Sequence, residues 1–151
     1  MIEGSRDPWM LIRLSPEQVL YQWEVISKII PSTEEELKDS QIANIKQQLG
    51  LGNLNCWVFK KAEILKALII TGLHIDFNGD RSLLIYHLFG VDYLDEESWR
   101  MLYDKLSKIA KANNCRQIVA FSKIDRIIRM ARLLGGDVTN TFIQLPLIKG
   151  D

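Results

Sequence analysis

The stretch from Arg81 to Ser122 constrains this chain most, because it reads as strand, helix, strand. Leu83 to Phe89 (L-L-I-Y-H-L-F) is an unbroken apolar run of buried-strand length, rich in branched and aromatic residues. Trp99, Leu102, Tyr103, Leu106, Ile109 and Ala110 follow at spacings of three and four, which places them on one face of a helix. Gln117 to Phe121 returns as a second short strand. Two strands joined by a helical crossover lie parallel, with a right-handed connection. The chain must therefore contain a sheet with a helix packed across it.

The segments before this unit predict a strand, two helices and a meander. Trp9–Leu14 reads as a first strand, and residues 1–8 as an extension, native or a cloning remnant, ahead of one domain over 9–151. Ser15-Pro16-Glu17-Gln18 is a helix start with Ser as cap, Pro at the first position and Gln at the third. Val19, Leu20, Trp23, Ile26 and Ile30 carry one helical period up to Pro31. A second helix is expected from Ser32 or Thr33, with Glu34, Glu35 and Glu36 in its first turn, and Leu37, Ile42, Ile45 and Leu49 on its apolar face. Gly50 and Gly52 end it.

Asn55–Lys60 and Ile64–Asp76 read as antiparallel strands around a Lys61-Ala62 turn, and Asn78-Gly79 as a hairpin turn into the Leu83 strand. Past the crossover, Ser122-Lys123-Ile124-Asp125 resembles a capping box. It opens a helix periodic through Ile127, Ile128, Ala131 and Leu134, which Gly135-Gly136 closes. Val138–Leu145 is the last expected strand.

Composition narrows the function classes. Of 151 residues, 47% are hydrophobic and 25% charged, the balance of a globular domain with a sizeable core. Nineteen basic residues offset nineteen acidic ones, which argues against a dedicated nucleic-acid binder. No run of eighteen apolar residues predicts a membrane span, and no basic-then-apolar start predicts a signal peptide. Cys56 and Cys115 share no metal-ligand spacing and read as buried thiols rather than a disulfide. No metal site is expected. Gly-x-Ser-x-Gly, Walker A, His-Glu-x-x-His and Cys-x-x-Cys are all missing.

The order β-α-α-β-β-β-α-β-α-β over residues 9–147 resembles the GCN5-related N-acetyltransferase (GNAT) superfamily. R-M-A-R-L-L-G-G-D-V-T-N-T-F-I-Q-L-P-L looks like that family's closing helix, Leu-Gly turn and final strand. The resemblance implies an α/β (α+β) fold, a mixed twisted sheet of about six strands flanked by about four helices. It also implies a cleft where two parallel strands splay apart. There the family binds acyl-coenzyme A, with its pyrophosphate on backbone N–H groups of a Gly-rich turn opening the crossover helix.

The residues at that turn depart from the family's pattern. Phe89-Gly90-Val91-Asp92-Tyr93-Leu94-Asp95-Glu96-Glu97-Ser98 has one glycine, no basic residue, and four carboxylates. At roughly 6 Å each carboxylate repels a phosphate charge by about 0.7 kcal/mol even in water-like dielectric. Asp95 is placed to cap the crossover helix itself. The family's general acid on the closing helix falls at Ala131, beside Met130, and neither donates a proton.

Position alone assigns Leu88, Phe89, Gly90, Ser98 and Ser122 to a coenzyme subsite, and His87, Tyr86 and Tyr93 to catalysis. His87 is the candidate base, an imidazole able to take a proton directly or through water. Strand alternation puts Tyr86 on the opposite face unless a bulge reverses the facing. His74 reads as structural or exposed. The stripes Lys105-Lys108-Lys111 and Lys123-Arg126-Arg129-Arg132 read as the wet faces of amphipathic helices.

Two readings follow. In the first, the chain is a non-catalytic structural or protein-interaction module without a cofactor. It resembles the degenerate GNAT-like proteins of tailed bacteriophages, some of them particle components, and it partners a protein or a second copy of itself. In the alternative it is an acetyl-CoA-dependent N-acetyltransferase with an unconventional site. Either reading implies a place in a host cytoplasm or a viral particle.

Overall fold

The computed structural model describes residues 7–30, 37–76, 78–122, 125–139 and 145–148. The chain divides into two compact units, Met1–Ala120 and Phe121–Asp151. In the first, β1 (Trp9–Leu14), α1 (Pro16–Tyr21), α2 (Trp23–Ile29) and α3 (Asp39–Gly50) precede the meander β2 (Asn55–Lys61), β3 (Ile64–Ile75) and β4 (Arg81–Gly90). The crossover helix α4 (Glu96–Ala112) and β5 (Gln117–Ala120) follow. The described sheet has five strands in the order β1-β2-β3-β4-β5, antiparallel except for the parallel β4–β5 pair. The sixth expected strand, Val138–Leu145, lies mostly outside the described residues.

Alternation along the strands divides the core. Cys56, Leu68, Ile70 and Phe89 cluster with Val19, Ile26, Ile30, Ile45 and Leu49 of the α1–α3 layer and its edge. Phe59, Ala67 and Ile69, also buried, point from β2 and β3 to the other face. The apolar stripe of α4 (Trp99, Leu102, Leu106, Ala110) is buried, and α4 contacts β1 and β5. Burial holds the Cys56 thiol up at about 11, so it stays a protonated core residue. Cys115 is a partly exposed thiol.

Local chemistry sets several boundaries. The Ser15 hydroxyl accepts from Gln18 N–H, and Gln18 Oε1 accepts from Ser15 N–H, the predicted capping box. The single helix expected after it divides at Gln22, where the backbone leaves helical geometry (φ −97°, ψ 11°). The start expected at Ser32 or Thr33 lies outside the described residues. Leu37 precedes the helix, because Lys38 is extended and α3 begins at Asp39, where Gln41 reaches back to the Lys38 N–H at 2.7 Å. The β2–β3 turn sits one residue later than expected, on Ala62 and Glu63. At the next hairpin, Gly79 takes φ +82° while Asp76 Oδ1 accepts from the N–H groups of Asn78 and Asp80.

In the second unit, α5 (Asp125–Leu133) ends as predicted. Gly135 has φ +86°, and Gly136 N–H donates to Ala131 C=O at 2.7 Å. A Cβ on Gly136 would stand 2.8 Å from that same oxygen, so only glycine closes this helix without strain.

Candidate functional site

Two displaced residues shape the centre of the sheet. On β3, Ile70 faces His87 and Thr71 faces Ile85, so Tyr86 is an extra residue bulged out of β4. On the β2 side, Phe59 faces Ala67 and Lys60 faces Leu65, so Lys66 is the extra residue of β3. A bulge bends its strand and re-aims the side chains beyond it. Past the Tyr86 bulge the parallel pairing stops: β5 matches only Ser82–Ile85, whereas β4 stays paired with β3 as far as Gly90. Among the described residues no strand pairs with Tyr86–Gly90 on the β5 side. Within the first unit Tyr86–Gly90 is therefore paired on its β3 side alone.

The bulge also settles the facing of the aromatic residues. The Tyr86 and His87 rings meet edge to face at 5.1 Å, and His87 stacks on Phe89 at 5.4 Å. Tyr86 is 44% exposed, His87 and Leu88 are half-buried, and Phe89 is fully buried. The candidate base and its neighbouring tyrosine are thus brought together. Tyr93 is 72% exposed on the turn beyond. The Phe89 side chain belongs to the core, which leaves only its backbone to a ligand site on this stretch. Ser122 belongs to the second unit and is exposed.

The turn before α4 is closed by the protein's own groups. Lys66, the bulged residue of β3, offers its carbonyl to the N–H groups of Val91 (2.9 Å) and Asp92 (3.2 Å). Its ammonium meets Asp92 Oδ2 at 3.0 Å and the Tyr93 carbonyl at 3.5 Å. The Tyr93 N–H also favours the Asp92 carboxylate. Asp95 caps α4 as expected: its Oδ1 accepts from Ser98 N–H (2.8 Å) and from Ser98 Oγ (2.7 Å). Ser98 is buried inside that cap. Leu94 is buried beneath the turn, and Glu96 pairs with Arg100 at 2.9 Å.

These contacts do not fit a pyrophosphate cradle. Such a cradle needs unspent N–H donors and an attractive field at the helix N-terminus. Here three donors are spent on Lys66 and Asp95, and the four carboxylates Asp92, Asp95, Glu96 and Glu97 are exposed around them. The Lys66 carbonyl was not legible as a lock, because a lysine in an apolar strand reads only as a break in the pattern.

The two Ser98 bonds hold the Asp95 carboxyl below its ordinary value of 3.8, and Lys66 does the same for Asp92. Both are depressed in the folded state, so the stability they lend is complete above the ordinary value. It is lost as pH falls through the folded value. The Ser98 amide resonance should titrate with a midpoint below 3.8, and in Lys66→Met the Asp92 midpoint should rise toward 3.8. Midpoints at or above 3.8 in the parent would contradict the cap and the lock.

The basic stripes are largely engaged or solvated. Lys105 pairs with Asp7 and Lys108 with Asp104. In the second unit Arg129 and Arg132 are exposed beside a shallow hollow also lined by Asp125 and Ile128. Among the described residues there is no cluster of metal-ligating side chains, and no helix is long and apolar enough to cross a membrane.

No protein-family model matches this sequence, and no curated protein is similar to it. Solved structures are. The aminoglycoside acetyltransferase AAC(6')-Iy, in complex with a coenzyme A bisubstrate analogue, superposes with a TM-score of 0.70 at 10% identity. That match covers 93% of this chain and 99% of that one. A probable acetyltransferase matches at TM-score 0.68 and 9% identity, over 94% of this chain and 99% of its own. The ribosomal-protein-alanine N-acetyltransferase of Brucella melitensis biovar Abortus 2308 matches at 0.65 and 10% identity, over 92% and 99%. With its mixed five-stranded sheet and helical crossover, this chain has the fold of the GNAT acetyltransferases.

Proposed function

We propose that this chain is a non-catalytic protein-interaction module built on the GNAT fold, without acyl-coenzyme A in the usual cradle. One observation carries the reading: the turn ahead of α4 spends the N–H donors of Val91, Asp92 and Ser98 on the Lys66 carbonyl and the Asp95 carboxylate. The fold is then kept for its surface, and the ligand is another polypeptide. The resemblance to phage GNAT-like proteins makes a viral particle the matching assembly.

A thermal melt with acetyl-coenzyme A tests this. A site filled at a hundred times its dissociation constant adds roughly 2.7 kcal/mol, or about 5 to 10 °C. No shift is expected, and a shift of that size would overturn the reading.

A second reading is favoured by the Tyr86 bulge and by the stretch Tyr86–Gly90, which among the described residues pairs only with β3. It is an N-acyltransferase with an unconventional site, His87 acting as base and Tyr86 beside it. The coenzyme chemistry of the structural neighbours would carry over only if the same melt responds.

A further inference from the structure

We propose that the outer edge of β1 pairs antiparallel with β1 of a second copy, joining two five-stranded sheets across a two-fold axis. The proposal rests on the edge alone and is independent of whether acyl-coenzyme A binds.

The backbone pattern shows which groups the edge offers. The Pro8 carbonyl accepts from Ala62 N–H at 2.7 Å, so it points toward β2. Alternation then turns the backbone groups of Met10, Ile12 and Leu14 to β2, and those of Trp9, Leu11 and Arg13 outward. The Trp9 N–H agrees, since it donates to Asp7 Oδ1 at 2.9 Å rather than to β2. Among the described residues nothing pairs with the outward N–H and C=O groups of Leu11 and Arg13. Edge strands ordinarily carry a proline, a bulge or several charges against such pairing. Within W-M-L-I-R-L there is only Arg13, and Met10 (48%) and Ile12 (38%) are exposed apolar residues on one face.

Symmetry selects the partner and the register. Across a two-fold axis perpendicular to the sheet, opposed residues must point to the same face, so the axis passes beside a residue that faces itself. Centred on Leu11, Met10 stands opposite Ile12 of the second copy, and Ile12 opposite its Met10, so the exposed pair is covered on both sides. Leu11 N–H donates to Leu11 C=O of the second copy, Arg13 N–H donates to its Trp9 C=O, and both bonds are reciprocated. The Trp9 N–H, held by its own Asp7, does not reach the Arg13 C=O of the second copy, so four backbone bonds join the two edges. The same register sets the Arg13 guanidinium diagonal to Asp7 of the second copy. Asp7 already pairs with Lys105 but keeps 46% of its side chain exposed, so an antiparallel copy can bring Arg13 to it as a second cation.

Sedimentation velocity over a range of concentrations, with hydrogen exchange at single amides, tests this. The parent should associate reversibly to a dimer in the micromolar range. The Leu11 and Arg13 amides should then slow as concentration rises, while those of Met10 and Ile12, already bonded to β2, stay constant. Leu11→Pro removes an outward donor, and Ile12→Lys places a charge in the apolar pair. Each should weaken association at least about tenfold while keeping the parent circular dichroism. Leu11→Pro alone can disturb the strand, so Ile12→Lys, on an exposed side chain, decides if the proline variant misfolds. A parent that stays monomeric at every soluble concentration would overturn the proposal. So would a dimer unweakened by the folded variants, or Leu11 and Arg13 amides indifferent to concentration.

Discussion

Phe89→Ala should lower stability by about 3 to 5 kcal/mol, and the melting temperature by about 10 to 15 °C. Phe89 is fully buried, faces Leu68 across β3–β4 and stacks on His87. Its ring fills the space where the central strand meets the α1–α3 layer. Removing it takes away transfer free energy and leaves a cavity that a close-packed sheet closes only in part. Tyr86→Ala, three positions earlier on the same strand, should change stability by no more than about 0.5 kcal/mol, because Tyr86 is bulged outward and half exposed. Denaturant unfolding of the two variants side by side checks both. Equal losses would mean that Phe89 is not the ring anchoring β4 to the core.

Deleting Tyr86 should change the sheet more than any point substitution on β4 while leaving the protein folded. Because Ile85 and His87 already face the consecutive residues Thr71 and Ile70, joining them restores an uninterrupted β3–β4 ladder. No other side chain changes face. The melting temperature should stay within about 4 °C of the parent, equivalent to about 1 kcal/mol. The irregularity between Ile70 and Thr71 should disappear, and the amides of Ile85 and His87 should slow in hydrogen exchange as the β3–β4 ladder closes over it. Deleting Ile69 is the contrast. It lies in regular register with both Trp57 and Leu88, so its loss throws half of β3 out of step with both neighbours and should unfold the domain. If the two deletions behave alike, Tyr86 is not the extra residue.

The difference between these deletions also explains how much was legible in the sequence. Leu83–Phe89 is apolar at nearly every position, so its strand character and burial could be read, but not the place of an inserted residue. A bulge is defined by the neighbouring strand, and only the pairing with β3 reveals it. Sequence reasoning could state the condition, that Tyr86 and His87 share a wall only if a bulge reverses the facing, and the structure meets it. Lys66 was invisible for the same reason, and with it the lock on the α4 turn.

Features fixed by contiguous residues fared better. The Ser15 box, the Asp95 cap, the Asn78-Gly79 hairpin and the Gly135-Gly136 stop all rest on contacts within five residues, and each is where the local pattern put it. The division at Gln22 had no local signal. The α3 start at Asp39 did have one, Gln41 three residues after Lys38, and it was outweighed by the more conspicuous glutamates upstream.

The central claim is that the turn ahead of α4 is closed to a pyrophosphate by Lys66 and Asp95. The most direct test is to titrate the isotope-labelled protein with acetyl-coenzyme A while following the Val91, Asp92 and Ser98 amides by nuclear magnetic resonance. The account predicts that these three resonances stay in place up to millimolar ligand. Saturable shifts at all three would mean that the Lys66 and Asp95 bonds open to admit the phosphates, and the chain would then be a coenzyme A binder after all.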